Sequence, residues 1–200
     1  MSFRPIESFE ALLDDPLVSG LTPWAKFIKP NASVGNVAAT WDGLTYAFKV
    51  ALEAIFEEHF KRSHSDLLEY PLAYLARHYA ELSLKSLWHR CRAESLLEMP
   101  IPKTHHLGSL WVPIRAALKD AEISQFDDSF SRSFEMTLNH FDELDRKSDG
   151  FRYPPSDAKS TREIDSSLLA QELDRMTVFF YGLNAIMDER QDFLRWQSEI

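Results

Sequence analysis

From residue 37 to about 62, apolar side chains recur in steps of three and four, at Trp41, Leu44, Phe48, Leu52, Ile55 and Phe56. That spacing lines one face of an α-helix, and Asn36 is placed to cap it. A second helix is predicted from Pro71, a residue suited to the first helical position, to about residue 92, with Leu72, Leu75, Tyr79, Leu82 and Leu87 in step. After Pro100 and Pro102, Thr104 is a candidate cap for a third helix with Leu107, Leu110, Trp111, Ile114 and Leu118 inward; Pro113 must kink or split it. A fourth covers about 124 to 146, where Phe126, Phe130, Phe134, Leu138, Phe141 and Leu144 form a mostly aromatic stripe that reads as core. Turn formers fill 148 to 161, and a final helix covers roughly 165 to 196. Residues 1–36 are broken by Pro5, Pro16, Pro23 and Pro30, leaving one short amphipathic helix at Ile6, Phe9, Leu12 and Leu13. No segment alternates as a strand does, and no repeat of fixed period is present. The expectation is an all-α fold, an antiparallel bundle of four to five long helices over 37–200, with an N-terminal arm, 1–36, packing on the body.

Composition supports a folded chain. Of 200 residues, 44% are hydrophobic, enough for a continuous core, and no run approaches a membrane span. A single cysteine, Cys91, permits no internal disulfide. Glu7, Glu10, Asp14 and Asp15 stand where a secretory signal would be basic and apolar, so a cytoplasmic location and no membrane partner are expected. The formal net charge is −9. Residues 67–125 hold seven basic and six acidic groups and four of the seven histidines, whereas residues 126–200 hold nine basic and sixteen acidic groups. Broad DNA binding is thereby disfavoured, while a local basic pocket is not.

The second helix is unusual in being apolar nearly all round, yet Arg77, Glu81 and Lys85 line up along it at intervals of four. If buried, each charge needs a partner; if solvated, they form a ladder of weak ion pairs, and helical spacing alone favours the ladder. In the loop, Arg152 lies between Phe151 and Tyr153 and before Pro154, a setting that fixes its guanidinium either on a ligand phosphate or carboxylate or on an internal acid such as Asp145 or Glu81; the internal clamp is favoured. His105 and His106 are adjacent and project about 100° apart, poor joint ligands for one metal. No metal site and no cofactor are expected: the chain has no nucleophile elbow, glycine-rich phosphate loop or Cys-x-x-Cys pair.

Three short motifs together carry a likeness. Arg77-His78-x-x-Glu81-Leu82-x-x-Lys85, then Thr104-His105-His106-Leu107, then Asp145-x-x-Ser148-x-x-Phe151-Arg152-Tyr153-Pro154 resemble the bacterial HEPN-like proteins (higher eukaryotes and prokaryotes nucleotide-binding) over about residues 67–157. The resemblance implies an all-helical bundle, often a homodimer, in a family whose members include metal-independent ribonucleases of toxin and antiviral systems, nucleotide binders and companions of nucleotidyltransferases. It further implies one polar pocket between helices where Arg77, Glu81, Lys85, His106, Arg152 and Tyr153 converge. If catalysis occurs there, His106 would act as general acid or base, Arg77 and Arg152 would clamp an anion, Lys85 would be a supporting charge and Glu81 would orient them, with Lys85, Arg152, Tyr153 and Asp145 binding the ligand. The chain departs from the family's ribonucleases in one respect: they place a histidine a few residues after an arginine, and here the nearest pair, Arg132 and His140, is separated by seven residues. The expected role is therefore a nucleotide- or RNA-related binding or accessory module. A metal-independent ribonuclease with a non-standard site is the alternative, and a non-catalytic interaction domain meeting a protein partner or a second copy is the rival.

Overall fold

A computed structural model of the chain describes residues 40–61, 66–123, 128–145 and 164–199; the arm, 1–36, and the loop carrying Arg152 and Tyr153 lie outside them. Five helices occupy the described residues: α1 (Trp41–Lys61), α2 (Asp66–Ala93), α3 (Leu107–Asp120), α4 (Asp128–Leu144) and α5 (Ser166–Ser198). All are α-helical, no described residue is in a strand, and they form an all-α helical bundle. Among the described residues no helix is long and apolar enough to cross a membrane.

The near-continuous apolar surface of α2 explains its position, for it packs against all four other helices. Ala73, Ala76 and Ala80 are fully buried along it, small enough to let neighbours approach closely, while Leu72, Leu84, Trp88 and Cys91 fill the space between. Of the stripe on α4, Phe134, Leu138 and Phe141 are buried as expected of core, whereas Phe126 lies outside the described residues. Phe134 stacks on Phe179 with ring centroids 3.7 Å apart, and Trp111 meets both rings edge-on.

Helix ends depart from the sequence reading in three places. α1 begins at Trp41 with Thr40 Oγ1 accepting from Gly43 N–H at 3.0 Å, while Asn36, the cap expected from sequence, lies outside the described residues. α2 begins five residues before Pro71, which is tolerated because the carbonyl it leaves unbonded belongs to Leu67, an exposed residue of the first turn. α3 is capped by His106, not Thr104, and continues through Pro113 without splitting. Thr104 serves one step earlier, accepting from His106 N–H at 3.1 Å. The cap of α5 is Asp165, which accepts from Ser167 and Leu168 N–H.

Candidate functional site

The row on α2 is no solvated ladder. Arg77 is 1% exposed and Glu81 2%, and only Lys85, a turn further on, reaches the surface. Burial follows from the helix carrying them: α2 lies inside, so its charged edge is covered by the start of α3 and the end of α4. Each charge has the partner that burial demands. Arg77 reaches Glu81 at 3.5 Å and Asp142 of α4 at 3.1 Å, and Nη2 also donates to the backbone carbonyl of His105. Lys85 Nζ sits 2.6 Å from Glu81 Oε1.

Asp142 joins three elements. Its Oδ1 accepts from Arg77 and from Leu107 N–H (3.1 Å), and its Oδ2 accepts from Gly108 N–H (3.2 Å), so a carboxylate from α4 closes the N-terminus of α3. Asp145, the residue that follows α4, is also buried, and its charge acts on Arg77. Desolvation pulls the Arg77 pKa below its ordinary value, against the opposing pull of Asp142, Glu81 and Asp145. For Glu81, burial alone would raise the pKa; Lys85 and His105 outweigh it and hold the carboxyl below its ordinary 4.5.

Two histidines stand at the rim of this buried network, side chains 55% and 52% exposed for His105 and His106. His105 Nδ1 lies 2.9 and 3.1 Å from the two oxygens of Glu81. His106 Nδ1 lies 3.1 Å from Asp142 Oδ2 and 3.3 Å from Ser109 N–H. Neither Nε2 meets another group among the described residues. The consequences differ for the two rings. A carboxylate at Nδ1 keeps a proton there on His105, so its neutral Nε2 is an acceptor. His106 Nδ1 lies near both an acceptor, Asp142 Oδ2, and a donor, Ser109 N–H, so either tautomer finds a partner there.

Arg77, Glu81, Lys85, His106 and Asp145 thus come together as the sequence motifs group them, whereas Arg152 and Tyr153 lie outside the described residues. Arg77 spends its Nη donors on the protein's own oxygens. Glu81, expected to orient the set, touches Arg77, Lys85 and His105, while the carboxylate beside His106 is Asp142. Sequence reasoning passed over Asp142, for which a signal existed. Asp142 and Asp145 continue the inward stripe of Phe134, Leu138 and Phe141 at intervals of four, so the periodicity that buries those rings buries the two acids as well. Among the described residues, no group of His, Cys, Asp and Glu is arranged to hold a metal ion. No protein-family model, no curated protein and no solved structure matches the chain.

Proposed function

We propose that this protein is a HEPN-like helical binding module for a phosphate-bearing, nucleotide-type ligand, with His105, His106 and Lys85 as the ligand-facing layer and Arg77, Glu81 and Asp142 as its buried support. One observation carries the reading: two neighbouring imidazoles are each seated through Nδ1 near a buried carboxylate, while neither Nε2 has a hydrogen-bond partner among the described residues. Such seating fixes ring orientation in advance, so little freedom is lost when an anion arrives. A homodimer is part of the proposal, by the family resemblance alone.

The test is calorimetric titration and thermal shift of the full chain with nucleoside mono- and triphosphates. Binding that is lost in His105→Ala/His106→Ala, with an unchanged helical circular dichroism spectrum, is the expected result. Absence of binding by the parent protein, or binding unaltered in the double variant, overturns it. The second reading, a metal-independent ribonuclease, is favoured by two adjacent half-exposed imidazoles, each held through Nδ1, since imidazole is the side chain best suited to proton transfer at a phosphodiester. Cleavage of labelled RNA in the presence of a chelator, abolished in either single histidine variant, would establish it.

A further inference from the structure

The opposite side of α2 carries a feature that the histidine site does not use. Tyr79, Ser83, Ser86 and Leu87 face away from Arg77 and Glu81 and floor a groove walled by α1 and α5. Both walls pack on α2, and they meet each other at one end, where His59 Nε2 of α1 lies 3.3 Å from Ser166 Oγ of α5. Three adjoining cavities of about 420, 350 and 670 Å³ run along it; the first two share Lys49, Tyr79 and Thr177, and the last two share Asp42 and Ser86. Along α5 the lining extends from Ala170 to Gln191, about 30 Å at helical rise.

Three properties of the walls identify the occupant. On both helices the lining residues recur in steps of three and four, as Asp42, Tyr46, Lys49 and Glu53 on α1 and as Asp174, Thr177, Tyr181 and Asn184 on α5. That is the spacing by which helices present ridges to another helix. Tyr181, 79% exposed, and Tyr46 stand on opposite lips, large apolar surfaces with polar tips of the kind that anchor interfaces. The charge is uneven: Lys49 is neutralised by Glu53 at 3.0 Å and Arg90 by Asp188 at 2.7 Å, leaving Asp42 and Asp174 with no cation among the described residues. Among the described side chains, Asp42 accepts from the hydroxyl of Ser86.

We infer that the α1–α5 groove seats an amphipathic helix of a protein partner, its apolar face on the tyrosines and its basic residues on Asp42 and Asp174. The inference is independent of the histidine site. Its test uses the full chain and a fluorescent helical peptide of about 20 leucines and lysines, patterned to put the leucines on one face, with a leucine–glutamate twin as control. The lysine peptide binds saturably at one per chain and the glutamate twin does not. Asp42→Asn/Asp174→Asn weakens binding about tenfold. Thr177→Trp, which fills the seat, abolishes it, and Tyr181→Ala, at a position too exposed to disturb folding, weakens it as well. Asp120→Asn, exposed on α3 and lining none of these cavities, and His105→Ala/His106→Ala leave it unchanged. Equal binding of the two peptides, or affinity unaffected by Tyr181→Ala, overturns the proposal. A dimer in native mass spectrometry that dissociates on Tyr181→Ala also overturns it, reassigning the groove to a second copy.

Discussion

Removing the Arg77 guanidinium would strand Glu81 and Asp142 in the interior without their shared cation. Breaking a buried pair in this way costs about 3–5 kcal/mol, so Arg77→Ala is expected to shift the urea midpoint far more than any surface arginine, Arg195→Ala for example. Glu81 sets the acid limit of the same network. Its folded pKa lies below the unfolded value, so its contribution is fully present above about pH 4.5 and is lost as the pH falls through the folded pKa. Stability measured from pH 6 down to pH 3 should fall more gently in Glu81→Gln than in the parent protein, and parallel acid limbs would show that other carboxylates dominate. Cys91 belongs to the interior by a different route. Burial pushes its thiol up to about 12, so native protein should resist a thiol-specific reagent and react only in denaturant. Of these residues the sequence disclosed the types and the alignment on α2. Whether the row met water or carboxylates was unreadable, because a period of four is shared by a solvated ladder and a buried network.

At the scale of elements, two helix ends store a correctable cost. Ser95 and Glu122 adopt φ of 57° and 55° beyond α2 and α3. At each end the next amide closes a six-residue ring, Leu96 N–H to Cys91 carbonyl and Ile123 N–H to Leu118 carbonyl, while Ser95 and Glu122 bond back to Arg92 and Lys119. This is the Schellman arrangement, which favours glycine at the left-handed position. Ser95→Gly and Glu122→Gly should each stabilise the fold by about 0.5–1 kcal/mol in chemical denaturation, whereas a glycine inside either helix would cost a similar amount. Gly108 poses the converse case in the first turn of α3. An added Cβ would come within 3.1 Å of the His106 ring. Gly108→Ala should therefore leave thermal stability nearly unchanged, helix propensity offsetting the disturbed cap, and should reduce nucleotide affinity under the proposed function. Existence and type of the helices were readable from periodicity over several turns, but their starts were not. A cap is chosen among neighbouring candidates by which side chain meets an amide, and that depends on Asp142 from another helix as much as on Thr104 or His106.

In the molecule as a whole, α5 continues past its packed portion. Leu183 and Met187 are buried, whereas Phe193, Leu194 and Trp196 are exposed. A chain ending after Arg190 should melt within a few degrees of the parent, since it retains the ion pairs of Arg90 and Arg190 that tie α5 to the end of α2. A large drop would show that these last turns are structural. Hydrophobic spacing alone was enough to specify an all-helical chain, to place α2 at the centre and to make α4 aromatic on its inner side, because helix formation and burial are local responses to period and composition. Arrangement was settled elsewhere. Glu81 faces His105, Asp142 closes α3 and α1 meets α5 at His59 and Ser166 because helices distant in sequence share one packed interior, where each buried charge takes the opposite charge that packing brings within reach.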